Sequence, residues 1–440
     1  MNMKLDFVKE KTSRCFWLMF LPVMAAMFLN MAYNVVDSLW IGNLLGENAY
    51  AALTSSAPVV LILNSAAMGA ANGVAIVAAR ALGTGCKEMA ESVISTSFFM
   101  ALAFSVSVTG ITELLIPVIL KALNTPLETL VMSTQYLSIY VLGYVCVFLY
   151  CYFTAVLRSF GNSVFQMTAM LVCTALNGVL DPVFIHFMGF KGAAVATVIS
   201  QGLCLVFMIV YMFRKKYFCL RIKMCKKMYV KEIILKALPS AFQQSIPAVS
   251  TSFLTALVSS YGVTAIAAYG ITGKLEILLF YPAMALNMVL SSMVGQCAGA
   301  GRYDKASGYL KYSLKSGTII MLILSAAVVG FAGPLSGLFV RSAAVAAIVK
   351  RYFLIVSIGY VLNTITNCCL GTLNGFGKPL KSLLLMVLYY IIVRMPLAWL
   401  MDGAGTGLDG IWTAVLISHV VACAASYWQV RKQQRRLPLA

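Results

Sequence analysis

Twelve long apolar runs recur along the chain, at approximately 15–42, 49–80, 91–120, 130–158, 163–188, 190–213, 233–260, 264–295, 308–338, 347–373, 379–401 and 408–430. Each holds at least about 20 residues, enough to cross a hydrocarbon core about 30 Å thick at 1.5 Å per residue. The longer runs are expected to tilt or to extend past the membrane. The fold class that follows is an all-α integral membrane protein with twelve transmembrane helices. Composition excludes the soluble alternative. With 61% hydrophobic and 11% charged residues, the 440-residue chain has too little polar surface to cover a water-soluble particle.

The formal net charge of +19 lies mainly in short loops between the apolar runs. This is the positive-inside pattern that orients a membrane protein against the cytoplasmic leaflet. No aromatic-interleaved basic motif is present, so nucleic acid is not an expected partner. An even number of spans puts both termini on one side. The N-terminus (Lys4, Lys9, Lys11, Arg14), the link RKKYFCLRIKMCKKMYVKE and the C-terminus (Arg431, Lys432, Arg435, Arg436) are all basic. All three are expected to be cytoplasmic, in a multi-pass protein of the plasma (inner) membrane. The loops GNLLGENA, SYGVT and DGAGTGLDG carry no positive charge, as outward loops should. The turn near Arg341, Lys350 and Arg351 departs from the pattern. The twelve cysteines are scattered through apolar segments, without metal-site or disulfide spacing. The first apolar run is too long for a signal-peptide core.

Shifted by 216 residues, the sequence aligns with itself. Gly46 meets Gly262, Ala49 meets Ala265, Gly83 and Gly85 meet Gly299 and Gly301, and LRSFG meets LNGFG. The expected organisation is an N-terminal six-helix bundle (1–213), a basic cytoplasmic linker (214–232) and a C-terminal six-helix bundle (233–440). Six spans per half is even, so the halves are parallel repeats about an axis along the membrane normal. Two such bundles can rock against one another in alternating access.

Asp37 lies inside the apolar stretch NVVDSLWIG, where a carboxylate is costly. Its counterpart in the repeat is Phe253, so the carboxylate serves one half only. A second one, Asp181, falls in the fifth span four residues after Asn177, on one helix face. Pro182 frees a backbone carbonyl one turn back. The sixth span contributes Thr197. Asp181 lies about 27 Å along its outward-running span and Thr197 about 10 Å from the outer end of its own. All fall in the outer half of the membrane, at depths where they can meet. Two carboxylates close together in low dielectric cannot both stay ionised cheaply, so such a pair can hold a proton. With the Asn177 and Thr197 oxygens it can instead hold a hard cation such as Na⁺. The bland alternative is that the two aspartates only hydrogen-bond between helices.

Lys274 and Glu276 lie inside the eighth span and, two residues apart, do not pair on that helix. Either faces a central substrate cavity or finds a structural partner on a neighbouring helix. Arg394 either neutralises a carboxylate or phosphate or reaches the interface by snorkelling. Glu113 is expected near an outer end, and His419 as a helix-packing residue. GTLNGFGKP has the wrong spacing for a phosphate loop, and no catalytic triad or zinc helix is present. No enzyme activity and no cofactor are expected. The energy source is then an ion gradient, worth about 2.3 kcal/mol per charge per 100 mV.

The chain resembles the multidrug and toxin extrusion (MATE) family over nearly its whole length. The resemblance rests on Pro22 and NVVDSLWIGNLLG in the first span, GAANGVAIVAARALGTG in the second and LRSFGN after the fourth. LNGVLDPVF with GAAVAT, IAAYGITGKLE and GQCAGAGRYDKA complete it. It implies a monomeric antiporter exchanging H⁺ or Na⁺ for small organic, cationic and amphipathic drugs. Similarity to the bacterial DinF-like branch implies a coupling-ion site at Asp37, Asn177, Asp181 and Thr197. It implies bending of the first span at Pro22, and puts Asn30 and Tyr33 on the cavity side of that helix. Another branch has acidic ligands in spans seven and ten, whose interiors here contain none. The alternative function is a lipid-linked precursor flippase of the same wider superfamily, kept open by Lys274 and Arg394.

Overall fold

The structure, a computed structural model, describes residues 5–123, 125–340 and 342–436. Lys4 and Arg341 of the charge pattern lie outside the described residues. The first half of the chain forms helices α1 (Thr12–Leu45), α2 (Glu47–Gly83), α3 (Lys87–Ala122), α4 (Leu127–Leu142), α5 (Tyr144–Ser159), α6 (Val164–Met188) and α7 (Phe190–Arg214). A 3₁₀ turn, Ile222–Met224, interrupts the basic link. The second half forms α8 (Lys227–Ser259), α9 (Val263–Gly299), α10 (Tyr303–Gly337), α11 (Ala343–Gly375), α12 (Pro379–Met386), α13 (Met395–Gly403) and α14 (Gly407–Gln434). No strand occurs among the described residues.

These helices make twelve membrane-length segments. α4 and α5 are one span broken by 46° at Gly143. α12 and α13 are one span joined by a π-helical stretch, Val387–Arg394. Ten continuous helices and the bent pair are long and apolar enough to cross a membrane. The remaining one, α8, has 33 residues but carries Gln243, Gln244 and several hydroxyls. Large apolar side chains face outward all along the spans; Leu114, for example, is 81% exposed. Only a hydrocarbon solvent makes that surface stable.

The chain divides into two compact units. One holds Leu21–Ala241; the other holds Asp6–Phe20 and the chain from Phe242 onward. The boundary in α1 falls one residue before Pro22, which has no N–H for the helix ladder.

In the first unit, small residues let backbones approach and hydroxyls bridge helices. The Ser159 hydroxyl donates to the Ala75 carbonyl at 3.1 Å, Ser133 to Ala52 at 3.2 Å and Tyr144 to Leu63 at 3.0 Å. Arg158 of LRSFGN is buried and donates to Asn72 of GAANG at 2.6 Å, so two of the sequence motifs are one lock. Gly69 and Gly73 seat α2 on the first turns of α8. A Cβ at either would stand 2.3 Å from the Cα of Ala241 or Ala237.

In the second unit Asn374, the repeat counterpart of Arg158, makes polar but uncharged links. Asn374 donates to Asn287 at 3.4 Å and to Gln243 at 3.3 Å. The segment 6–20 is fixed to α10 by Tyr309, which donates to the Phe7 carbonyl at 3.0 Å, and by Lys305, which donates to the Glu10 carbonyl at 2.6 Å. Arg351, one of the charges that departed from the positive-inside pattern, is matched by Asp409 of α14 at 2.8 Å.

Candidate cation site in the first helical unit

Asp37 enters from α1, Asn177 and Asp181 from α6, and Thr197 from α7. All four are buried. The turn between α6 and α7 sets their register. It is a single residue, Gly189, at φ 60°, a left-handed conformation that glycine adopts without strain. Gly192 then lets α7 lie directly on the end of α6, since a Cβ there would come within 2.1 Å of the Phe184 carbonyl oxygen. α6 is anchored to α1 by the Thr174 hydroxyl, which donates to the Leu29 carbonyl at 3.3 Å.

The Asp37 and Asp181 carboxyls face each other within side-chain interaction distance. Asn177 donates to Asp181 Oδ1 at 2.8 Å, one helical turn away. The residues singled out in the sequence then share one property. Asp37 Oδ1, Asp181 Oδ2, Asn177 Oδ1 and Thr197 Oγ1 are each buried without a hydrogen-bond partner. Carboxylate and amide oxygens are acceptors only, so no rearrangement among them satisfies all of them. An unsatisfied buried acceptor costs about 1–3 kcal/mol, and more when charged.

Tyr33, one turn before Asp37, is buried, and its hydroxyl lies 3.5 Å from Ser200 Oγ on α7. Asn30 is exposed, and its backbone and side-chain oxygens accept from Asn34 at 2.8 and 3.5 Å. Pro22 is buried within the continuous α1. Tyr136 of α4 was not singled out in the sequence. It is buried within electrostatic reach of both aspartates and stacks on Phe190 with ring centroids 5.0 Å apart. Its signal was a tyrosine pair, Tyr136 and Tyr140, at helical spacing in an apolar run.

The charged residues of the second unit are not gathered into a comparable open cluster. Glu276 accepts hydrogen bonds from Tyr352 and Tyr360 of α11. Lys274 is exposed and lies 5.1 Å over the Phe339 ring. Arg394 is buried and does not snorkel. It donates to Ser418 at 3.0 Å and to Tyr389 at 2.8 Å, and its guanidinium stacks on Tyr389 and Tyr390 at 4.7 and 4.6 Å. Tyr389 and Arg394 are five residues apart, so the π-helical turn is what aligns them. His419 is hydrogen-bonded to Tyr389 at 2.5 Å, the packing role expected of it. Glu113 is half-buried on α3. No group of three or more His, Cys, Asp or Glu residues suited to a metal occurs among the described residues.

Twelve helical spans in duplicated halves, with ionisable groups inside the spans, define a polytopic membrane protein. The MatE family model matches residues 22–183 and again 239–400, once in each half. The chain belongs to this family, the MATE transporters. Curated relatives include the probable multidrug resistance protein YpnP of Bacillus subtilis, 25% identical over 97% of this chain and 96% of that one. The FAD transporter of Shewanella oneidensis is 24% identical over 94% and 93%. The multidrug export protein MepA of Staphylococcus aureus is 25% identical over 92% and 90%. Among solved structures, a MATE in complex with MaL6 superposes with a TM-score of 0.94 at 22% identity over 99% of both chains. A MOP superfamily transporter from Pyrococcus furiosus gives 0.94 at 22% over all of both chains.

Proposed function

We propose that the protein is a secondary active antiporter of the plasma membrane. It exchanges H⁺ or Na⁺ for organic, cationic and amphipathic drugs, as a monomer with both termini and the basic link in the cytoplasm. The observation that carries this reading is the set of four unpartnered buried oxygens on Asp37, Asn177, Asp181 and Thr197. The coupling ion enters from outside and takes those oxygens as ligands, or, as a proton, sits between the two carboxyls. Its charge offsets the negative cluster and lowers the affinity for a cationic drug. The conformation that holds the ion is then favoured over the one that holds the drug, and each is carried in its turn.

Relatives named as multidrug resistance or export proteins support an organic cargo. The relative named as an FAD transporter sets the contrasting case, a large anionic cargo. The test is efflux in proteoliposomes with pH and Na⁺ gradients imposed separately. Uphill movement of an organic cation is expected with one of the two gradients and is expected to vanish in Asp37→Asn. Full gradient-dependent efflux by that variant would overturn the mechanism, and transport of FAD but no organic cation would overturn the cargo.

A further inference from the structure

A second feature of the first unit has no part in this cycle. A cavity of about 260 Å³ lies between α2, α3, α5 and the first turns of α8. Its lining includes Ala70, Val74, Ala101, Phe148, Ile233 and Ala237. The lining polar atoms are already satisfied. Ser97 and Tyr152 both donate to the Ile94 carbonyl, at 3.0 and 2.8 Å. Nothing in the cavity asks for a polar ligand. Its rim residues Phe104, Ile234 and Leu238 are exposed, so it opens toward hydrocarbon.

The basic link is fixed at one end of this cavity. Three hydroxyls near the start of α3 hold it. Ser92 donates to the Met224 carbonyl at 2.6 Å and Ser95 to the Cys219 carbonyl at 3.2 Å, while Thr96 accepts from the Lys226 backbone N–H at 3.2 Å. The next residue of α3, Ser97, already lines the cavity. On α8, Lys227, Lys231, Ile234 and Leu238 fall at i, i+4, i+7 and i+11, one continuous stripe. The stripe is cationic at its first turns and apolar where it borders the cavity. Lys231 stands about 10 Å along the helix from Leu238. Lys226 is paired with Glu88 at 3.5 Å and Lys87 with Glu91 at 3.8 Å. Lys223, Lys227 and Lys231 are exposed, with no carboxylate in salt-bridge range among the described residues. Ile222 and Met228 are exposed among these lysines, the mixture suited to a membrane interface.

We propose that this is a binding site for an anionic phospholipid. Its phosphate is held by Lys223, Lys227 and Lys231, and one acyl chain lies along α8 into the cavity. The charge and the greasy slot together select the occupant. A soluble anion has no use for the slot, and a zwitterionic lipid has no net charge for three lysines. A basic cluster at the end of a membrane helix attracts anionic headgroups by about fivefold in affinity per lysine.

The test uses the purified full-length chain with Trp introduced at Ile234, titrated with phosphatidylglycerol or phosphatidylethanolamine brominated in mid-chain. Saturable quenching by phosphatidylglycerol at low mole fraction is expected, with phosphatidylethanolamine quenching only in proportion to its amount. The triple variant Lys223→Gln/Lys227→Gln/Lys231→Gln is expected to weaken the effect about a hundredfold. Equal quenching by the two lipids, or quenching indifferent to the lysines, would overturn the site. So would displacement of the lipid by millimolar inorganic phosphate alone. Native mass spectrometry of the unaltered chain gives a second reading free of substitutions: retained phosphatidylglycerol in excess of phosphatidylethanolamine is expected, and parity would overturn the proposal.

Discussion

Replacing Asp37 by asparagine separates a working carboxylate from a structural one. The side chain keeps its size, but one acceptor becomes an N–H donor facing Asp181. Asp181 Oδ2 lacks a partner in the wild type. A hydrogen bond to a charged group contributes about 1.5–3 kcal/mol, and one buried carboxylate is removed as well. Asp37→Asn is therefore expected to be more stable than the wild type in Na⁺-free, alkaline buffer by about that amount. A bound ion reverses the order. At a hundred times its Kd, the coupling ion stabilises the wild type by about 2.7 kcal/mol, whereas the variant has lost the site. The assay is thermal unfolding of purified protein, with Na⁺ titrated at fixed pH and pH varied at fixed salt. A large ion-dependent rise is expected for the wild type and none for the variant. If Asp37→Asn unfolds earlier than the wild type without ion, or keeps the ion-dependent rise, the carboxylate holds helices together and the reasoning fails.

Gly192→Ala puts a Cβ against the backbone of α6, at 2.1 Å from the Phe184 carbonyl oxygen. It is expected to destabilise by at least about 1–3 kcal/mol and to weaken ion binding by moving Thr197, both readable in the same unfolding titration. Glu276→Gln keeps the shape of the side chain but removes the charge that Tyr352 and Tyr360 donate to. A loss of about 1–3 kcal/mol is expected, with the ion-dependent rise in stability retained, because the proposed coupling site lies in the other unit.

The periodicity of apolar runs made the spans legible, and an offset comparison revealed the duplication. The four candidate ligands were legible because each breaks an apolar context: Asp37 has no repeat partner, and Asn177 and Asp181 share a helix face. What stayed hidden depends on contacts distant in sequence or on backbone detail. The segment 6–20 packs with the second half through Phe7 and Glu10 carbonyls, which any residue carries. The Tyr389–Arg394 pairing presumes a π-helical turn, whereas an α-helix would put residues five apart on different faces. Tyr352 and Tyr360 lie 76 and 84 residues from Glu276, and nothing in either segment marks the other. Tyr136 was hidden in plain view, because a membrane helix holds many tyrosines and only tertiary packing brings this one near the aspartates.

The central claim is that Asp37 and Asp181, with Asn177 and Thr197, hold the coupling ion. The most direct measurement is the number of ions bound at equilibrium by the purified protein without drug, from ²²Na⁺ retention and proton uptake in unbuffered solution. The account expects about one saturable H⁺ or Na⁺ per chain for the wild type, lost in Asp37→Asn and in Asp181→Asn while both remain folded. Undiminished saturable uptake by either folded variant would contradict it.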